Sequence, residues 1–224
     1  MSPAVPRSLS RLILGHHQAQ LQHDPVICAD HISQAVPVHD FVPIHRNGRY
    51  QNRTYSLALD GVAISNGQGT PFAMAVAEQP RPSLLLCLGG QASIQLGGHC
   101  YSNSPDQPLL FLPGEPFGCT FHQASALIMS FEPSRLARTA MAMAEKVQLD
   151  GLNLQRLQDP LAVDTGTWLN QHLSRLLHTT LQLLDHALEN PQTSGPPGAN
   201  FSELLTSQMA GFLYPCLLEA PGQA

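Results

Sequence analysis

Charge is what this sequence has least of. Asp, Glu, Lys and Arg make up 12% of it, about half the share in an ordinary soluble domain. Only 11 of these residues are Lys or Arg, and the net charge is -5, so the chain has no basic footprint of the kind that grips phosphate non-specifically. Any contact with DNA is expected to lie outside it. The five cysteines, Cys28, Cys87, Cys100, Cys119 and Cys216, are odd in number and never spaced CxxC. That argues against a disulfide framework or a zinc knuckle and for reduced, buried, small hydrophobes. No run of about eighteen apolar residues occurs, and the short apolar patch Leu12-Ile13-Leu14 is not a signal peptide. A soluble cytoplasmic protein without a membrane partner is expected. GxSxG is absent, and Gly67-Gln68-Gly69-Thr70 and Leu88-Gly89-Gly90-Gln91 lack the spacing and following helix of phosphate loops.

Hydrophobic residues, by contrast, are 43% of the 224, which implies a substantial core and an apolar surface that a partner or a second subunit covers in part. From Ser56 to Phe131 they come in short aliphatic runs closed by Gly, Pro, Asn or Asp: SLALDG, VAISNGQG, PFAMAVAEQP, SLLLCLGG, ASIQLGGHCY, PLLFLPGE, PFGCTF and ALIMSF. Runs of this kind read as hairpin-connected strands and predict a small antiparallel barrel or sandwich. In ASIQL, the alternation puts Ala92, Ile94 and Leu96 on one face and Ser93 and Gln95 on the other. Gly97-Gly98 then turns the chain.

Residues 1–22 show little periodicity and read as a flexible arm, with His16-His17 solvated on it. Asp24 as N-cap and Pro25 at the first helical position open a short helix that Pro37 ends. It leads the barrel unit, residues 23–133, which takes in a strand over Val38 to His45. After Phe131 the period changes from two to between three and four. Residues 134–190 carry a helix over Arg135 to Lys146 and the strongest helical pattern in the chain, Thr167 to Glu189. Residues 191–200 (PQTSGPPGAN) read as a linker, and 201–224 as a last helix, Phe201 to Tyr214, that Pro215 breaks or kinks, and a tail.

A glycine-turned hairpin at Leu96 to His99, followed by the strand-Pro113-Gly114-Glu115-strand unit, resembles the small cupin barrels. Taken with the Asp-Pro, helix and strand entry, it is most similar to the N-terminal sensor and dimerisation domain of AraC-type transcription regulators. The resemblance implies an α+β fold: a cupin-like antiparallel β-barrel, or double-stranded β-helix, with flanking α-helices. It implies a non-enzymatic, ligand-sensing bacterial domain that forms a homodimer, takes a small-molecule effector, and reaches DNA through helix-turn-helix motifs this chain lacks. Two other readings stay open, a small cupin-type enzyme (isomerase or dioxygenase) and a stand-alone interaction module.

Cupin enzymes hold a metal with histidines and a carboxylate. The matching strand here, Phe72 to Pro82, has no His and only Glu78, and beyond the Pro-Gly-Glu turn the sole barrel His is His122. Neither a metal nor any other cofactor, nor a catalytic residue, is expected. Cys119 lies mid-strand with nothing nearby to depress its pKa, as a reactive thiol requires. Phe117, Cys119 and Phe121 share one face of their strand and are the candidate effector-lining residues if that face points inward. On the long helix, at about 100° per residue, the leucines spread over roughly 160°, whereas packing on one's own domain needs little more than 100°. Either the final helix covers the excess or a second subunit does, in which case Leu169, Leu173, Leu176 and Leu183 form the interface, with Leu176 and Leu183 at its seam. His172, His178 and His186 fall on the polar side or its margin.

Overall fold

The computed structural model describes residues 12–44, 50–148, 151–190 and 199–218. Within them the strands are β1 (Gln20–Gln22), β2 (Val38–Pro43), β3 (Asn52–Leu59), β4 (Val62–Gly69), β5 (Phe72–Val76), β6 (Ser83–Leu96), β7 (His99–Asn103), β8 (Leu109–Leu112), β9 (Phe117–Phe131) and β10 (Leu161–Val163). The helices are α1 (Pro25–Ser33), α2 (Pro133–Lys146), α3 (Trp168–Glu189) and α4 (Ala199–Leu217), with a 3-10 turn at Leu154–Gln158. The ten strands form one curled antiparallel sheet.

Two strands make it curl. The apolar runs SLLLCLGG and ASIQL are one strand, β6, of 14 residues, and PFGCTF and ALIMSF are one strand, β9, of 15. They pair along their whole length. At one end they are flanked by β8 and β4, at the other by β7 and β5, so both pass from one layer of the half-barrel to the other. The pairing skips register between Cys87 and Gly89 and again between Gly89 and Gln91, opposite His122 to Ser125. Gly90 and Gln123 have φ of 71° and 51° there. Bulges of this kind bend strands.

They also change which residues face in. Before the bulge in β6, Leu85 points into the barrel and Leu84 and Leu86 point out, whereas beyond it Ala92, Ile94 and Leu96 point in. In β9 the inward set is Phe117, Cys119 and Phe121 and then Ala126 and Ile128. Because side chains alternate with a period of two, one extra residue exchanges the faces. The outward set of the second layer, Val62, Ile64, Leu84, Leu86, Leu109, Phe111, Leu127 and Met129, is fully buried under Leu136 of α2, Leu177, Leu181 and Leu184 of α3, and Leu205, Met209 and Phe212 of α4. That wall has apolar residues on both faces.

Local signals behave as read at several points. The Asp24 side chain accepts from the Val26 N–H at 2.9 Å to cap α1, and Gly97 and Gly98 take positive φ in the β6–β7 turn; Thr167, read as the first helical residue, is instead the N-cap of α3. Pro215 does not stop the last helix, which runs to Leu217 with the proline in its final turn, and it begins at Ala199, inside the expected linker. Residues 191–198 and 219–224 of the expected linker and tail lie outside the described residues.

The flexible arm is a correction. Residues 1–11 lie outside the described residues, but from Leu12 the chain is packed. Leu12 and Leu14 are buried, the Leu14 carbonyl accepts from Asn66 Nδ2 at 3.0 Å, and the Gly15 N–H donates to Asp185 Oδ1 at 2.6 Å. Gly15 has φ of 71°, and a Cβ there would run into the Tyr55 ring. The segment thus straps the barrel to α3, and the His pair sits on that strap: His17 Nε2 lies 3.3 Å from Glu189 Oε1. Too few apolar residues in sequence show a period, so only tertiary packing orders it. Leu14→Ala is expected to lower unfolding stability by about 2–5 kcal/mol in urea titration, whereas Leu21→Ala, at an exposed site, should stay within about 0.5 kcal/mol.

Candidate functional site

The inward face of the barrel carries the three candidate effector-lining residues. Phe117, Cys119 and Phe121 all point in and are buried. Only Phe121 reaches the cavity that remains, whose walls are Ile32 of α1, Asn52 and Thr54 of β3, Ser65 and Gly67 of β4, Phe72 and Met74 of β5, Leu85, Ala126 and Ile128. Phe117 and Cys119 are instead part of the packing, with Val76, Ala92, Ile94 and Leu96. The cavity holds about 40 Å³, room for about one water and well short of the roughly 300 Å³ or more of a drug-sized pocket.

Its walls differ. One side is aromatic and aliphatic, with Phe72 stacked on Phe41 at 4.6 Å and tilted against Phe121 at 4.8 Å between centroids. The other is a polar row that sequence reasoning missed. Ser56 Oγ donates to the His31 carbonyl at 2.6 Å and lies 3.0 Å from Ser65 Oγ, and His31 Nδ1 approaches Thr54 Oγ1 at 3.4 Å. Asn52 Oδ1 is buried without a hydrogen-bond partner, and the Tyr50 hydroxyl is buried beside the Asn52 side chain and the Cys28 thiol. Burial, reinforced by the neighbouring Cys28 thiol, holds the Tyr50 phenol well above its ordinary range. The signal was present in NRTYS, where Asn52, Thr54 and Ser56 alternate, but alternation alone does not say which face is closed.

None of this is nucleophile chemistry. Burial pushes the Cys119 thiol well above its ordinary value, with Cys87 adding to the shift, and burial raises Cys28 and Cys87 as well. The thiolate is the reactive form, so these thiols are inert at neutral pH. The metal that cupin enzymes carry finds no fit here. Among the described residues no three His, Cys, Asp or Glu side chains converge to hold an ion, and His122 is exposed on the outer face.

Outside the barrel, a second and larger concavity of about 730 Å³ lies between the bends of β6 and β9, the strap at Leu12 and Ile13, and the α3 face bearing His178, Gln182, Asp185, His186 and Glu189. On the far side of that helix Leu169, Leu176 and Leu183 are 43%, 44% and 56% exposed, and Trp168 beside them is 79% exposed. Trp168 stacks on His172 at 5.7 Å. Leu173 departs from the expected interface set. It packs into the main core, 3.3 Å from where a methyl on Gly211 would sit, because a glycine in α4 lets the two helices approach. The final helix therefore takes part of the broad leucine stripe and leaves three of its members outside.

The sequence model of the AraC-binding-like domain family matches residues 28–218. Comparison with curated proteins yields no match. Among solved structures, that of the AraC-like transcriptional activator CuxR superposes with a TM-score of 0.56 at 12% identity, covering 92% of this chain and 73% of that one. Ectoine synthase from P. lautus gives 0.32 at 15% identity over 36% of this chain and 64% of its own. KdgF from Halomonas sp. gives 0.32 at 9% over 42% and 88%. The fold is a cupin-like β-barrel with flanking α-helices, as expected.

Thiol labelling tests the burial at the barrel wall. Ellman's reagent at pH 8 is expected to modify the exposed Cys100 in the native protein within minutes. Cys28 and Cys119 should react only on denaturation. Rapid native labelling of Cys119 would mean that the barrel face is open.

Proposed function

The chain belongs to the AraC-binding-like domain family, and from that premise we propose that this regulatory sensing domain works as a homodimer whose barrel binds a small effector without chemical turnover. The effector would occupy the space beside Phe121 and the polar row of Asn52, Thr54 and Ser65. Asn52 Oδ1 is an acceptor that lacks a partner, and leaving it so costs about 1–3 kcal/mol. A ligand that donates to it recovers that cost. Because the cavity is small, an effector larger than a few heavy atoms has to displace Phe121 or the Ile32 end of α1. Contact with DNA would come from a part of the regulator outside this chain, which carries too little positive charge to hold a duplex itself.

One observation supports dimerisation above the rest. Leu169, Leu176 and Leu183 recur every seventh residue along one line of α3, and α4 leaves them exposed while covering Leu173, Leu177 and Leu184. A seven-residue repeat places successive side chains nearly over one another on a helix, the pattern of a helix-helix seam. Trp168, at the head of that line, adds a large rigid contact of the kind that dominates interface energies.

Sedimentation velocity at tens of micromolar is expected to show a dimer for the parent chain and a folded monomer for Leu176→Asp/Leu183→Lys. An unpaired charge in an apolar seam costs several kcal/mol, which is about a thousandfold or more in the dimer constant. A parent that stays monomeric at that concentration rules the seam out. A double variant that loses its circular dichroism would place the two leucines in the core instead.

A further inference from the structure

Taking the barrel as the effector site, we infer that Phe121 is a plug standing where the effector binds, and that the effector is a neutral aromatic molecule with a single O–H or N–H donor. The cavity of about 40 Å³ is what Phe121 leaves over. An enclosed apolar cavity of about 150 Å³ holds benzene, so a ring enters here only where a ring leaves. Of the cavity's walls, α1 is the fixed one. Ser56 Oγ donates to the His31 carbonyl in its last turn at 2.6 Å, and just beyond its end Ser130 Oγ donates to the Ala35 carbonyl at 2.8 Å. Phe121 is placed differently. It is the last residue of β9 to pair with β5, opposite Phe72, and two residues farther on Gln123 takes a φ of 51° in the bulge. Its ring ends the row of Phe41, Phe72 and Phe121, whose centroids are 4.6 and 4.8 Å apart.

The lining decides the class of ligand. No charged side chain borders the cavity, so a carboxylate, phosphate or ammonium would lose its water without gaining a counterion, and an isolated buried charge is strongly unfavourable. Asn52 is 1% exposed, borders the cavity and holds an acceptor, Oδ1, without a partner. The other oxygens of that wall are engaged, Ser65 Oγ with Ser56 Oγ at 3.0 Å and Thr54 Oγ1 with His31 Nδ1 at 3.4 Å. One free acceptor matches one donor. A sugar would bury several hydroxyls with nothing to receive them. Phe72 borders the same space, which is only about one water across, so a ring in the place of Phe121 stacks on Phe72 while its donor reaches Asn52.

Phe117 and Cys119, farther back along β9, stay in the packing of the barrel. Displacing Phe121 turns a side chain beside the bulge, the point where β9 passes into the wall beneath α3.

Isothermal titration of the full chain with phenol, toluene, benzoate and glucose tests this, with the methyl resonances of Ile32 and Ile128, which border the cavity, reporting where each probe binds. Phenol is expected to bind saturably and to shift both methyls. Toluene has the same shape without the donor and should bind about tenfold to a hundredfold more weakly, because it leaves the Asn52 acceptor unpaired. Phe121→Ala should tighten phenol about tenfold or more, since a buried ring no longer has to be displaced. Phe121→Leu is read in the same direction if the alanine variant fails to fold. Toluene bound as tightly as phenol, or a Phe121 variant that binds phenol no more tightly than the parent, overturns the proposal. So does phenol that binds the variant and not the parent. Benzoate or glucose that shifts both methyls and binds more tightly than phenol also overturns it, while leaving the barrel as the effector site. Silence from all four probes, in the variant as in the parent, overturns the barrel reading itself.

Discussion

A single sheet wall, β4–β9–β6–β8, is buried on both of its faces, and the rest of the molecule follows from that. One face closes the barrel, with Ala63, Leu85, Leu110, Ala126 and Ile128. The other carries the helices, with Ile64, Leu84, Leu86, Leu109, Leu127 and Met129. Each fully buried aliphatic side chain contributes about 1.5–3 kcal/mol relative to exposure, so removing the helices would expose a wall too apolar to face water. The helices accordingly form one body with the barrel. A change in how the inner face packs is transmitted to the outer face across the thickness of one sheet, because close-packed layers accommodate very little independent movement.

The matched bulges let β6 and β9 serve two different tasks. Beyond them, in the layer with β5 and β7, the outer face meets solvent and the strands alternate, as in Ala92 to Leu96. Before them, in the layer under the helices, nearly every residue is apolar. The same bend opens the cleft beside α3, so the distortion that joins the two layers also creates the concavity of about 730 Å³ on that side. The helix α3 is then committed on one face by α4 and the sheet, and the leucine line along the edge of that face is what remains.

Much of this was legible in residues. The capping at Asp24-Pro25, the Gly97-Gly98 turn, the alternation in ASIQL and the helical period of 167–189 are local signals, and each acts through a local cause. That Phe117, Cys119 and Phe121 share one face followed from period two alone, whereas the direction in which that face points did not. What sequence could not supply was non-local. The apolar run SLLLCLGG reads the same whether it ends at its glycines or continues through them, so β6 and β9 looked like separate strands. The strap from Leu12 has no period to detect, and its order comes from Asn66 and Asp185, 52 and 170 residues away. Which of Asn52, Thr54 and Ser56 would find partners depended on α1, and the fate of Leu173 depended on a glycine in another helix.

The central claim is that barrel and helices are one cooperative unit joined through the doubly buried wall. Native-state hydrogen exchange, followed residue by residue under mild denaturant, tests it directly. The slowest amides of α3, around Leu177 to Leu184, and those of β9, around Ala126 to Met129, should open with free energies that agree within about 1 kcal/mol, as members of one cooperative unit do. Opening of α3 several kcal/mol below β9, with the barrel amides still protected, would show that the helices are a separate layer and contradict the account.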